Sequence, residues 1–296
     1  MKKRIDAWKE ASSNNLPDGT PLDTKEGPCA ICLEETITNP VVMPCGHAFC
    51  FACVGHYQRS TKSKEGALCP YCRGEIPNVG NESCRRVKSY SDRARTSSKG
   101  SEEQKKYAKL AVAEFESLLE LLYSEEKKKI VYLKLKARML SMAAQPEEAV
   151  KIANETLSLN EKHPGILDFD EVEQTKCVQA EAYVALGKWE EAGMIYKALY
   201  KSNLQRGKHN ALVLMGLART KNKLGKYDEA IEIGNIAIEA FRQCPGVHKY
   251  VALSHKAKGD IDEAKKTMSR AILYETHWDK DNMQQNKELL QELNSV

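Results

Sequence analysis

The sequence predicts a chain in two parts, a small metal-stabilised α+β module near the N-terminus followed by an all-α array of helical repeats. Three observations predict this. Seven cysteines and one histidine between Cys29 and Cys72 fall in the order C-x2-C-x12-C-x-H-x2-C-x2-C-x15-C-x2-C. A short motif ending in Glu-Ala recurs at Leu186 to Ala192, Leu224 to Ala230 and Lys258 to Ala264, its alanines 38 and then 34 residues apart. A basic, serine-containing stretch separates the two patterns. At 296 residues, 29% of them charged and 42% hydrophobic, the chain can build one large or two modest domains. A net charge of +4 is too small for this length to argue nucleic-acid binding.

The eight ligand-type residues form four close pairs, Cys29/Cys32, Cys45/His47, Cys50/Cys53 and Cys69/Cys72. Zinc accepts thiolate sulfur and imidazole nitrogen in a tetrahedron, so eight such ligands supply two zinc ions. The competing reading is a disulfide framework, which needs an oxidising compartment. The stretch from Met1 to Glu10 is charged and is followed by no apolar run of the kind a secretory leader carries. No segment approaches the roughly 18 apolar residues that span a membrane. An intracellular chain with reduced thiols is therefore expected, and there C-x2-C pairs read as metal sites. Cys84, Cys177 and Cys244 fall outside the array and are expected to be ordinary free thiols. Phe49 and Leu68 lie beside ligands, where they can pack between the metal sites, and Val41 and Val42 suit a short strand.

This stretch resembles a RING finger, whose histidine stands fourth in the ligand order as His47 does here. The resemblance implies a cross-braced pairing, with Cys29, Cys32, Cys50 and Cys53 on one zinc and Cys45, His47, Cys69 and Cys72 on the other. It further implies a ubiquitin-protein ligase that docks a ubiquitin-loaded conjugating enzyme. Ile31 and Pro70 match the apolar docking positions of the family, and Tyr57 stands where tryptophan is common. Arg73, directly after the last cysteine, matches the position of the arginine that bridges the conjugating enzyme and ubiquitin. Its planar fork of donors can engage two carbonyls at once. Four protein ligands close each zinc site, which leaves no open position for a metal-bound water and argues against a zinc hydrolase. No GxSxG, P-loop or dinucleotide fingerprint occurs.

Downstream, a period of 34 to 38 residues belongs to helical hairpins. Ala180, Ala218 and Ala252 lie seven residues before Gly187, Gly225 and Gly259, and small residues there let two helices approach. Each glycine falls where a first helix ends, since a left-handed backbone is cheapest for glycine. Trp189, Tyr227 and Ile261 then pack across the turn, and Ala192, Ala230 and Ala264 permit close contact again. Leu199, Ala237 and Ala271 continue the apolar face of each second helix. A degenerate copy spans Ala144 to Ala149, preceded by Ala137 and lacking the glycine. These segments resemble tetratricopeptide (TPR) repeats, and the resemblance implies a groove lined by first helices, with Glu181, Arg219, Asn222, Lys249 and Lys256 among its residues.

The expected organisation is an N-terminal extension at 1–24, the zinc finger at 25–78, a solvated basic linker at 79–103 and a helical solenoid at 104–295. The linker carries Arg85, Arg86, Lys88, Arg93, Arg95 and Lys99, dispersed and without an aromatic run for stacking bases. Tyr107, Ala111, Phe115, Leu118 and Leu122 follow helical spacing and predict a buried stripe. Asp281 to Leu293 reads as a capping helix, as a solenoid end requires. Two function classes fit. One is a ligase whose partners are a conjugating enzyme, ubiquitin, and a substrate or adaptor held by the repeats; the other is a non-catalytic scaffold.

Overall fold

The computed structural model describes residues 28–35, 37, 40–43, 45–60, 67–76, 78–122, 126–241, 245–274 and 280–295. The expected extension at 1–24 and Cys244 lie outside the described residues, and so does the side chain of Met283. Among the described residues there are twelve helices and one two-stranded sheet. They fall into two compact units, Met1–Gln145 with Ser158–Ile166, and Pro146–Leu157 with Leu167–Val296.

The first unit opens with the zinc-binding module. Strand β1 (Pro40–Val42) pairs antiparallel with β2 (Ala48–Cys50), Val41 standing opposite Phe49. Gly46, at φ 88°, closes the turn between them through its N–H to the Met43 carbonyl at 2.8 Å. Helix α1 (Phe51–Ser60) follows without a break. The core under these elements is small: Met43, Phe49, Phe51, Val54 and Ile76, with three cysteines buried among them. A core this size is marginal without a further constraint.

The segment expected to be a solvated linker is instead a helix, α2 (Val79–Thr96). Ser83, Val87 and Ala94 are buried along it, and it packs against α3 (Glu102–Leu121). Arginines along it are engaged rather than solvated: Arg86 Nε donates to Glu114 at 2.8 Å, Arg93 donates to the Tyr107 hydroxyl at 3.1 Å, and Arg95 pairs with Asp92. Ser101 caps α3 by accepting the Gln104 N–H at 3.1 Å, while the Gln104 side chain donates back to the Ala94 carbonyl. Of the predicted stripe, Ala111, Phe115 and Leu118 are buried, and Tyr107 and Leu122 at its two ends are half-buried. Helix α4 (Glu126–Met142) buries Ile130, Leu133, Ala137 and Leu140, and α5 (Pro146–Lys162) begins with proline at its first turn.

The second unit takes in Pro146–Leu157 of α5 and is otherwise built from α6 (Phe169–Ala185), α7 (Trp189–Gln205), α8 (Ala211–Lys223), α9 (Tyr227–Ala240), α10 (Pro245–Lys258), α11 (Ile261–Tyr274) and α12 (Lys280–Asn294). Helix α6 packs on α7 and α8, α8 on α9 and α10, and α10 on α11 and α12. Each first helix thus meets its own partner and the first helix of the next hairpin, which makes this a solenoid of TPR-like repeats. The motif alanines Ala180, Ala218, Ala252, Ala192, Ala230 and Ala264 are all fully buried. Gly187, Gly225 and Gly259 hold φ of 73°, 72° and 85°. At each, the next residue's N–H reaches back five residues: Lys188 to Tyr183, Lys226 to Lys221 and Asp260 to His255, at 2.9 Å in every case. This is the Schellman arrangement, which satisfies carbonyls a helix end would otherwise leave bare.

The copy without a glycine keeps that geometry. Gln145 N–H bonds the Leu140 carbonyl at 3.0 Å, and Ala144 takes the left-handed conformation at φ 57°. Two glycines inside helices are space-makers instead. A Cβ on Gly216 of α8 would collide with the ring of the buried Tyr196 from α7, and one on Gly234 of α9 would collide with Val251 of α10. Helix α12 closes the array with Leu293 fully buried, and Leu289 and Leu290 pack against the same cluster of Ala252, Ala264, Met268 and Ala271.

Candidate metal centre

The chain places two ligand sets in the zinc-binding module, Cys29, Cys32, Cys50 and Cys53, and Cys45, His47, Cys69 and Cys72, each set having its ligand atoms within 4.8 Å of one another. Pairs alternate between sets along the sequence, which is the cross-brace. Local geometry explains how. The hairpin β1–β2 puts Cys45 and His47 at its turn and Cys50 at its end, so one short ribbon feeds both sets. Cys53 then projects from the first turn of α1 back toward Cys50.

The distances fit zinc. A zinc ion about 2.3 Å from sulfur and about 2.0–2.1 Å from nitrogen holds tetrahedral neighbours roughly 3.5–3.8 Å apart. Cys32 and Cys50 sulfurs lie 3.9 Å apart, and His47 Nδ1 lies 3.5 Å from the Cys45 sulfur and 3.6 Å from that of Cys69. The imidazole therefore turns Nδ1, not Nε2, toward the second set.

Electrostatics point the same way. Burial pushes the Cys45 thiol up to about 11, with the Cys72 and Cys69 sulfurs adding to it. Burial also raises Cys53, to about 12, together with the sulfurs of Cys32, Cys29 and Cys50. At Cys29 burial is outweighed by backbone N–H groups of Cys32, Cys50 and Ile31, and the thiol falls to about 7. Four sulfurs this close cannot all ionise unless a cation neutralises them. Zinc bound here would supply that charge and close the fold, with every position of its tetrahedron taken by protein.

Two knuckles of the finger are near copies. In the first, Leu33 N–H bonds the Cys29 carbonyl at 2.7 Å and Cys29 N–H bonds the Glu34 carbonyl; in the second, Arg73 N–H bonds the Cys69 carbonyl at 2.8 Å and Cys69 N–H bonds the Gly74 carbonyl. Both residues after the second cysteine are left-handed, Leu33 at φ 62° and Arg73 at φ 55°. Their side chains are cast outward, and Leu33 is 78% exposed. Tyr71 joins the knuckles: its hydroxyl donates to the Pro28 carbonyl at 2.6 Å, and its ring stacks on His47 and Phe49.

Of the residues expected to dock a partner, Ile31 and Tyr57 are half-buried and pack against the one core cluster of the finger, while Pro70 and Arg73 are exposed. Leu33, which the sequence analysis does not single out, is exposed on the first knuckle as Arg73 is on the second. Its signal was available, because it holds the same place after Cys32 that Arg73 holds after Cys72. Cys84 and Cys177 are free and stand apart from both ligand sets. Among the described residues no helix is long and apolar enough to cross a membrane.

Residues 25–79 match the family described as zinc finger, C3HC4 type (RING finger). Tripartite motif-containing protein 5 of Papio anubis is 44% identical over 61 residues, 20% of this chain and 12% of that protein. The E3 ubiquitin-protein ligase RNF146-A of Bos taurus is 41% identical over 68 residues, 23% of this chain and 16% of that protein. The DNA repair protein RAD5 of Debaryomyces hansenii is 37% identical over 70 residues, 23% of this chain and 6% of that protein. The matches thus span a small part of each relative. Among solved structures, a Podosopora anserina protein of nearly identical TPR-like repeats superposes with a TM-score of 0.51 at 17% identity, over 68% of this chain and 97% of that one. BtubC from P. vanneervenii superposes with a TM-score of 0.51 at 18% identity, over 66% of this chain and 83% of that one. The chain carries a RING-type zinc finger followed by helices with the TPR-like fold.

Proposed function

We propose that this protein is a RING-type ubiquitin ligase, in which the finger docks a ubiquitin-loaded conjugating enzyme and the repeats recruit a substrate or an adaptor. The observation that carries this reading is Arg73. It follows the last zinc ligand, is exposed, and is held left-handed by the Cys69 carbonyl, so its guanidinium is presented from a backbone that two sulfur ligands fix. Ile31, Pro70 and Tyr57 supply apolar surface for the conjugating enzyme. Leu33, carried on the matching knuckle, extends that surface.

The chain offers no nucleophile of its own in this role. A guanidinium that bonds the conjugating enzyme and its ubiquitin together restricts their relative motion, and holding a thioester in one attack geometry lowers the barrier by positioning. A substrate held by the repeats raises the local concentration of the attacking amine in the same way. An intracellular setting, where the finger's thiols stay reduced for zinc, goes with this role.

The test is discharge of a ubiquitin-loaded conjugating enzyme by wild type, Arg73→Ala and Ile31→Ala, with zinc content verified in each. Loss of charge-assisted hydrogen bonds of about 1.5–3 kcal/mol slows discharge roughly ten- to hundredfold in Arg73→Ala. Lysine does not rescue, because it lacks the fork. Equal rates in all three, or no stimulation by wild type across a broad panel of conjugating enzymes, would replace the ligase by a non-catalytic scaffold.

A further inference from the structure

Each ligand set of the finger braces one knuckle, and neither set braces both. Cys29 and Cys32 belong to the first set and Cys69 and Cys72 to the second, so the two knuckles share no metal. Through the ligands, the path from one knuckle to the other runs by way of the β1–β2 ribbon, which carries Cys45, His47 and Cys50. The spacing of the knuckles matters to docking. Ile31 lies within the first knuckle, and Pro70 and Arg73 lie on the second. A conjugating enzyme that uses all three meets two separately held surfaces.

Tyr71 spans the gap directly. Its hydroxyl donates at 2.6 Å to the carbonyl of Pro28, 43 residues away in the chain and immediately before Cys29. Its ring lies on His47, centres 4.9 Å apart with 26° between planes, and on the fully buried Phe49 at 5.7 Å and 28°. The ring is thus seated on the second ligand set while the hydroxyl holds the backbone that leads into the first. The acceptor is stiff as well, because proline fixes its own φ. Tyr71 is 47% exposed, and a hydroxyl at such a surface can bond water with little loss. Stability alone is therefore a weak reason for it to reach across the finger. What the bond supplies is geometry, since it makes the two knuckles one surface before a partner arrives.

We propose that Tyr71 is a positioning residue for ubiquitin transfer, a strut that sets the spacing between Ile31 on the first knuckle and Pro70 and Arg73 on the second. This rests on the ligase reading and assigns to it a residue outside the docking contacts. Tyr71 acts through the residues it holds and touches neither the thioester nor the attacking amine. Without the hydroxyl each knuckle keeps its metal ligands, and the pair samples other spacings. Docking then draws on the fraction of molecules with the fitting spacing, and apparent affinity falls by that fraction. Once docked, the conjugating enzyme holds both surfaces itself, and Arg73 acts as before.

The experiment compares the full zinc-loaded wild type with Tyr71→Phe, which keeps the stacked ring and loses only the hydroxyl. Discharge of a ubiquitin-loaded conjugating enzyme is followed against its concentration, and amide hydrogen exchange is read in the chain without a partner. Tyr71→Phe should keep its zinc content, raise the half-saturating concentration about three- to tenfold and leave the limiting rate within about twofold. Arg73→Ala should do the reverse, lowering the limiting rate with half-saturation little changed. Exchange of the Cys29 and Leu33 amides, whose hydrogen bonds close the first knuckle, should be faster in Tyr71→Phe. An unchanged half-saturating concentration, or a loss that simply follows zinc content, would overturn the proposal. So would weaker docking with exchange unchanged, the result expected of a hydroxyl that touches the conjugating enzyme itself. Wild type that discharges no conjugating enzyme overturns the ligase reading and the proposal with it, whereas Tyr71→Phe that matches an active wild type overturns the proposal alone.

Discussion

The finger and the repeats both depend on left-handed residues at their turns, and they fill those places differently. In three of the repeat turns the residue is glycine, at 187, 225 and 259, and in the degenerate copy it is the smallest side chain, Ala144; nothing but hydrogen bonds and packing holds each turn. In the finger's two cysteine knuckles it is Leu33 and Arg73, residues with large side chains, each next to a cysteine of a zinc-ligand set. A side chain in this conformation costs roughly 1–2 kcal/mol. Zinc binding in small fingers is worth about 10–16 kcal/mol and can bear that cost. Where metal fixes the backbone, the chain can put a large, outward-cast side chain at the tightest point of a turn; where packing fixes it, the turn residue is chosen for the turn alone.

Metal removal should separate the two regions most sharply. Chelation is expected to unfold the finger while the helical circular-dichroism signal of α6–α12 persists, because only the finger's folding energy resides in the metal. Cys45→Ala should do the same. A finger that kept its structure after verified zinc loss would erase the contrast. Acid should act like a mild chelator: Cys45 and Cys53, raised to about 11 and about 12, carry their protons at neutral pH until metal displaces them. Zinc uptake therefore releases protons, and apparent affinity should fall as pH falls, as read by a zinc-sensitive dye during titration.

Packing substitutions probe the other side. Ala230 is fully buried between helices, so Ala230→Leu should overpack its hairpin and lower stability by about 1–3 kcal/mol in thermal unfolding, with zinc content unchanged. The smallest effects test the turns. Gly225→Ala should cost about 1 kcal/mol, and Ala144→Gly should gain a similar amount, since Ala144 sits at φ 57° with no metal to hold it there. If Ala144→Gly left the melting temperature unchanged or lowered it, strain at this turn would be the wrong account.

Ligand spacing made the zinc sites readable from sequence, because each of the eight residues has no better explanation at that spacing. The repeats were readable for a related reason: glycine at 187, 225 and 259 is required by the left-handed turn, and alanine on either side by close helix contact. The helix at Val79–Thr96 escaped notice because its buried face is Ser83, Val87 and Ala94, small or weakly apolar residues among arginines and serines. Binary patterning fails on such a face, and the ion pair of Arg86 with Glu114 becomes visible only once α3 lies beside it. Leu33 escaped because its exposure follows from a backbone conformation and not from its type.

The two glycines that make space, Gly216 and Gly234, mean that these hairpins are not spare parts. Nine residues before each turn glycine stand Val178, Gly216 and Tyr250, and nine residues after stand Tyr196, Gly234 and Met268. The ring of Tyr196 fits only because the next hairpin offers no side chain at 216, and Val251 fits only against the bare backbone at 234. Duplicating the first hairpin would set Tyr196 against valine, and following it with the third would set Tyr196 against tyrosine. Their order is thus keyed like the wards of a lock, and a lineage carrying this array can gain or lose hairpins at its ends more easily than in its middle.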